Sequence, residues 1–242
     1  MDIFIFFFVI FTLAWSGTYL DNFDDYEGES VDNGKLGDWK RLGFGDQTAE
    51  WFVKDDRLVG NSKNVCGMGS TVFVGDTNWK DYELEFEFKI VETFVNPCKS
   101  TNLAFGVRSD DASDTGFFLG ILTKNDADGA DWERFLCNQW VQGRKTANFP
   151  VVHKDIKQKV WHKIRMVVDG ASYQVFWNDD KIVNSQNATL KEGGLTFYLI
   201  NAQIHFDNLR ITGDTIPDRI LVIDSRAKFT TTWATIKTGI SK

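Results

Sequence analysis

The stretch from Trp161 to Val183 constrains the fold more than any other part of the chain, because its apolar pattern checks its own pairing. Asp169-Gly170 is a dipeptide that tolerates the positive φ angles of a two-residue hairpin loop. With those two residues as the loop, Val168 faces Ala171, Met166 faces Tyr173, Ile164 faces Val175 and His162 faces Trp177, which gathers the large apolar side chains on one face. Lys163, Arg165, Ser172 and Gln174 fall on the other. A slip of one residue would scatter both sets, so the segment specifies a half-buried antiparallel hairpin.

The same period of two recurs upstream. From Tyr82 to Val91, Leu84, Phe86, Phe88 and Ile90 alternate with Glu83, Glu85, Glu87 and Lys89, the pattern of a strand with one dry face and one wet one. Trp51 to Val53 and Leu58-Val59 flank a charged turn, Lys54 to Arg57, and read as a short hairpin. Strand-like runs follow at Thr71 to Val74, Asn102 to Arg108, Gly116 to Leu122, Trp132 to Trp140, Gly194 to Ile200 and Gln203 to Ile211. Asp-, Ser- and Gly-rich breaks separate them, and no amphipathic stretch is long enough for a convincing helix. The 21 Phe and 9 Trp suit pleated surfaces. The fold expected is all-β, an antiparallel two-sheet β-sandwich of jelly-roll type, with parallel α/β folds excluded.

The 242 residues can form one large domain. Residues 1–17 read as a secretory signal peptide: Ile3 to Leu13 is almost wholly apolar, and Ala14, Ser16 and Gly17 offer a cleavage site, although Asp2 stands where a basic residue is usual. The alternatives are a retained anchor or a hydrophobic first strand. The domain expected spans 18–214, with Asp21 to Asp25 a polar approach to the first strands. Residues 215–242 read as a tail to which Ile220 to Ile223 could add a strand; docking or sorting is the functional alternative to a partly ordered terminus.

Export fits the sequon Asn187-Ala188-Thr189, a candidate glycosylation site. Cys66, Cys98 and Cys137 allow at most one internal disulfide. Cys66 to Cys98 is the pairing expected, since both lie in connections whereas Cys137 sits inside an apolar strand; three buried thiols are the alternative. The balance of 27 Lys+Arg against 34 Asp+Glu gives −7, which argues against nucleic acid as a partner.

Four segments together carry a family resemblance: Trp79-Lys80-Asp81-Tyr82-Glu83-Leu84-Glu85; Ala104-Phe105-Gly106-Val107-Arg108 with Thr115-Gly116-Phe117-Phe118-Leu119; Trp161-His162-Lys163-Ile164-Arg165 with Asp169-Gly170 and Trp177-Asn178; and Phe206-Asp207-Asn208-Leu209-Arg210-Ile211. In that order they resemble the concanavalin A-like lectin/glucanase superfamily, in particular the LamG-like jelly-roll branch that includes the 3-keto-disaccharide hydrolase domain. The resemblance covers about Phe23 to Gly213 and implies a scaffold that hosts lectins, hydrolases and adhesion modules alike. It further implies that a glycan is engaged on one sheet face or at the loop rim.

Sugar rings pack their C–H patches on aromatic rings, and their hydroxyls call for planar donors and acceptors. Trp132, Arg134, Asn138 and Trp140 supply that chemistry within one strand, and Arg108 ends an apolar strand where it could reach the same rim. The rival reading puts the tryptophans in the core. For catalysis the candidates are Glu83, Glu85 and Glu87, because a retaining glycosidase needs two carboxyls about 5 Å apart. Laminarinase-like members of the superfamily carry a Glu-x-Asp-x-Glu variant, in which Glu85 here replaces the central Asp. Polar-out alternation accounts for the same residues without catalysis.

None of His153 (in a polar loop), His162 or His205 (in strands) lies near a nucleophile-elbow context. Asp207 with Asp24 or Asp25 could hold a structural calcium, or Asp207 could anchor a turn or pair with Arg210; no metal or cofactor is expected. The function expected is a secreted or cell-surface, non-catalytic, carbohydrate-binding domain whose partner is a glycan or glycoprotein. The alternatives are a glycoside hydrolase of glucanase or 3-keto-disaccharide hydrolase type using Glu83 and Glu87, and an extracellular adhesion or matrix module.

Overall fold

The computed structural model describes residues 16–34, 36–43, 45–63, 66–67, 69–94, 101–123 and 132–220. Among them run seventeen strands: β1 (Gly17–Asp21), β2 (Lys40–Arg41), β3 (Glu50–Val53), β4 (Leu58–Asn61), β5 (Ser70–Val74), β6 (Tyr82–Thr93), β7 (Asn102–Ser109), β8 (Gly116–Thr123) and β9 (Trp132–Val141). Then come β10 (Arg144–Asn148), β11 (Val152–Ile156), β12 (Trp161–Asp169), β13 (Ser172–Trp177), β14 (Asp180–Gln186), β15 (Gly194–Ile200), β16 (Ala202–Gly213) and β17 (Arg219–Ile220). The one helical element among the described residues is a 3-10 turn, Val31–Asn33.

The strands form two sheets packed as a sandwich. One runs β14-β13-β12-β6-β16-β1-β17 with β4 also on β16 and β3 on β4; the other runs β10-β9-β8-β7-β15-β5-β2 with β11 also on β9. Every second side chain points into the shared core. Leu84, Phe86, Phe88 and Ile90 of β6 meet Phe105 of β7 and Phe197 of β15, and the Phe86 and Phe105 rings lie edge to face with centroids 4.6 Å apart. Aromatic pairs in this geometry add to what area burial alone contributes.

The β12–β13 hairpin keeps its predicted faces but not its predicted partners. Asp169 pairs with Ser172, Val168 with Tyr173 and Met166 with Val175, so the loop is Gly170-Ala171 and not Asp169-Gly170. Moving the loop by one residue shifts each partner by two, which leaves the inward and outward sets intact. Tertiary bonds hold the loop there: Gly170 N–H donates to Asp81 Oδ1 at 2.9 Å, and Gly170 O accepts from Arg108 Nη1 at 2.6 Å. Gly170 takes φ +53° at the first loop position, the need of a type II′ turn.

The sheet extends past both ends of the expected 18–214 domain. Gly17–Asp21 is a strand along β16, where a polar approach was expected at Asp21, and its Tyr19 and Asp21 are buried. Arg219–Ile220 then pairs with β1 in parallel. A two-residue period over five residues is too short to outweigh its polar composition in a sequence reading. The signal peptide expected at 1–17 falls almost wholly outside the described residues, as does the tail beyond residue 220.

Candidate functional site

The alternation that buries Phe117, Leu119 and Ile121 of β8 turns Phe118, Gly120 and Leu122 to the opposite side of the sheet. On β9 the outward set is Leu136, Asn138 and Trp140, on β7 Asn102 and Ala104, and on β15 Tyr198. Together they floor a groove of about 590 Å³ on the outer face of the eight-stranded sheet.

Two bonded loops make its wall. Residues 110–114 fold across the sheet edge, and the Gln142-Gly143 turn of the β9–β10 hairpin meets them: Gly143 N–H donates to Asp114 O at 3.0 Å and Gln142 N–H to Thr115 Oγ1 at 2.9 Å. Lys40 ion-pairs with Asp111 and steadies the far side of the loop. Tyr198 OH accepts from Gly69 N–H at 2.8 Å, which fixes its ring in the floor.

The polar chemistry of the groove is sparse and open. Asn138 Oδ1 is buried and accepts no hydrogen bond among the described residues. Burial raises the pKa of the Asp114 carboxyl, and no countercharge offsets it. An apolar floor with Trp140, Phe118 and Tyr198, beside the Asn138 amide and the Asp114 carboxyl, matches the demands of a ring carrying hydroxyls.

Of the residues expected to bind ligand, Asn138 and Trp140 line this groove. Arg134 shares their strand face further along, where its Nη2 donates to Thr123 O at 2.6 Å, and does not line it. Trp132 does not join them. The β8–β9 register shifts between Leu122 and Thr123, so Leu122 pairs with Arg134 but Thr123 with Trp132; this bulge turns Trp132 into the core, 1 % exposed, with Nε1 donating to Thr93 Oγ1 at 3.0 Å.

Arg108 is likewise not at a ligand rim. Its side chain is buried, and its guanidinium donates to Gly170 O, Leu190 O and Asp81 Oδ1 at 2.6, 2.8 and 2.7 Å. A φ of +49° at Arg108 redirects the side chain inward at the end of β7.

Glu83, Glu85 and Glu87 lie on the outer face of the nine-stranded sheet, on the far side of the sandwich from the groove. Each carboxylate is engaged: Glu83 by Arg165 Nη1 at 3.3 Å, Glu85 by Lys163 Nζ at 2.9 Å and Glu87 by Asn208 Nδ2 at 2.8 Å. The depression between Glu83, Glu85, Arg210 and Thr212 holds about 40 Å³, too little for a sugar ring. This is a solvated face laced by cross-strand pairs.

Asp207, for which anchoring a turn and pairing with Arg210 were both open, accepts from Asn208 N–H at 2.7 Å and lies 3.9 Å from Arg57. No three potential ligands for a metal converge among the described residues. His153 is in β11 and not in a loop, because Val152 and Ile156 pair it with β9. Cys137 is a buried free thiol with its pKa pushed up to about 12 by burial. Cys66 is disulfide-bonded, and Cys98, its expected partner, lies outside the described residues. The Asn187 sequon follows β14 in a surface turn closed by Thr189 N–H on Asn187 Oδ1 at 2.9 Å.

A second concavity, of about 740 Å³, lies near Tyr19, Trp79 and Asp214. Its acidic residues are partly spent on Arg219–Asp38 and Lys80–Glu192 pairs, and Trp79 is buried against Tyr19, so it offers no aromatic platform.

Phe118, Tyr198, Asp114 and Gln142 were not among the expected site residues. The available signal was β8, apolar on both faces in Gly116-Phe117-Phe118-Leu119-Gly120-Ile121-Leu122; a sheet strand with no polar side covers something on each side.

The sequence model of the 3-keto-alpha-glucoside-1,2-lyase-like domain matches residues 27–212. No curated protein matches the chain. Among solved structures, the carbohydrate-binding module CBM66 from Bacillus subtilis superposes with a TM-score of 0.56 at 13% identity, covering 72% of this chain and 94% of its own. The β-glucanase of Bacillus licheniformis superposes with a TM-score of 0.55 at 10% identity, covering 81% and 97%. At such identities the likeness is one of fold.

Proposed function

The chain belongs to the 3-keto-alpha-glucoside-1,2-lyase-like domain family, a family of carbohydrate-active jelly rolls, and from that premise we propose that it is a secreted or cell-surface domain that binds a glycan in the groove of the eight-stranded sheet without cleaving it. The observation that carries this reading is the placing of Trp140 and the Asn138 side chain on one strand face of the groove. A sugar would stack on the ring and hydrogen-bond to the amide beside it.

Binding is favoured over glycoside hydrolysis because, among the described residues, the groove presents one carboxyl, Asp114, where two are needed, while Glu83 and Glu87 face away and hold cross-strand partners. Among the described residues no helix is long and apolar enough to cross a membrane.

Retention on an array of immobilised glycans tests the proposal. Trp140→Ala and Asn138→Ala should each weaken retention roughly tenfold or more, the loss of one stacking or one hydrogen-bonding contact in a desolvated site. Unchanged retention by both variants would refute the site. Release of reducing sugar from a bound glycan by the wild type would refute the non-catalytic part.

A further inference from the structure

Among the described residues, charge in the groove's lining comes from one side chain. Asp114 stands in the wall, and its carboxylate has no hydrogen bond or ion pair among the described residues. Among the described residues no Lys, Arg or His lines the groove. Lys40 is paired with Asp111 and Arg134 donates to Thr123 O, while Arg144 and Lys145 of β10, beside Gly143 and opposite Trp140, lie outside the lining. The Asp114 charge reaches the floor, where it acts on the Tyr198 phenol. A half-buried carboxylate without a partner is costly, and it is relieved by a ligand that brings a cation. The aromatic floor has the same preference, since ring faces attract cations and repel anions.

We infer that the groove is built for a sugar carrying its own ammonium group, a 2-amino-2-deoxyhexose unit within a glycan, with Asp114 as the counter-ion and specificity-determining residue. This rests on the carbohydrate-binding reading and narrows it. The N-acetylated form of the same sugar keeps the stacking face and hydroxyls but loses the charge, so it separates ring recognition from ammonium recognition. Uronic and sialic acids bring a second carboxylate beside Asp114 into a groove whose described lining holds no cation.

Calorimetry with oligomers of glucosamine, of N-acetylglucosamine of equal length and of glucuronic acid tests this at about pH 6, where amines remain protonated. The wild type should bind the glucosamine oligomer at least roughly tenfold more tightly than the N-acetylated one, with the preference shrinking as salt is raised. Asp114→Asn should erase that preference, the affinity for the glucosamine oligomer falling roughly tenfold or more to that for the N-acetylated one. Equal affinity of the wild type for both oligomers, or a preference surviving in Asp114→Asn, would overturn the ammonium inference while the carbohydrate reading stood. Binding to none of the sugars would sink the carbohydrate reading itself. Tighter binding of a lysine-rich or methyl-lysine peptide than of any sugar would reassign the groove to a protein ligand and overturn both.

Discussion

Arg108 Nη2 donates to Asp81 Oδ1 at 2.7 Å from a side chain only 1 % exposed, while Asp81 itself stands at the surface. The guanidinium thereby ties the lead-in to β6 to the β12–β13 loop through Gly170 O and to the segment before β15 through Leu190 O. Arg108→Met removes those donors, leaving Gly170 O to water and Leu190 O with the Tyr173 hydroxyl alone. Stability should fall by about 1–3 kcal/mol, seen as a lower urea midpoint at unchanged m, and Arg108→Lys should recover only part, because one ammonium cannot reproduce the fork. A loss below about 1 kcal/mol would mean that water replaces these bonds.

Trp132 and Trp140 share a strand and an expected role, and the bulge between them separates their fates. Trp132→Ala should cost about 3–5 kcal/mol through the cavity it opens and the lost bond to Thr93. Trp140→Ala should cost much less stability and act on glycan retention. The reverse assignment in paired unfolding and retention measurements would contradict the bulge.

Gly120 sits in the floor of the groove, where an added Cβ would meet Leu136 O at 3.3 Å and Leu122 Cδ1 at 3.5 Å. Valine suits a strand, so Gly120→Val should fold with stability within about 1 kcal/mol of the parent. Its side chain would occupy the place of the ligand, and retention should drop roughly tenfold or more, the cost of a steric clash in a packed site. Normal retention would place the ligand elsewhere.

Thiol counting tests the cysteine arrangement. The native protein should resist alkylation, because Cys137 is buried with its pKa pushed up to about 12. Unfolding without reductant should expose one thiol if Cys66 is paired with Cys98, and unfolding with reductant three. Three thiols without reductant would leave no disulfide.

The fold was legible wherever one face of a strand is dry and the other wet. Tyr82 to Val91 and the hairpin faces follow from that alternation alone, because a one-residue slip would expose Phe86 or Met166. Legibility failed where long-range bonds decide. Arg108 reads as a loop-proximal cation in sequence, and only Gly170, Leu190 and Asp81 arriving from three other segments make it structural. Trp132 reads as one more outward residue until the bulge at Glu133 is known. Of the groove only Asn138 and Trp140 were visible; the rest needed β7, β8 and β15 set side by side, an ordering that alternation within single strands does not contain.

Asp21 gives the terminal strands a pH dependence opposite to that of a paired surface carboxylate. Burial pushes its pKa up to about 6 from 3.8, against hydrogen bonds from Trp39 Nε1 and Phe23 N–H and the charge of Arg219. Between about pH 4 and pH 6 the folded chain therefore holds a proton that the unfolded chain has released, and stability must fall as pH rises through that window, then level off. A displacement of this size corresponds to roughly 3 kcal/mol. Other carboxylates titrate in the same range, so the comparison is with Asp21→Asn, which mimics the protonated side chain and carries no such proton. The wild type's stability relative to Asp21→Asn should decline by roughly 3 kcal/mol from pH 4 to pH 7 in parallel urea titrations. A difference independent of pH would mean that Asp21 ionises as freely in the fold as in the unfolded chain, and that the contact between β1 and Trp39 is wet.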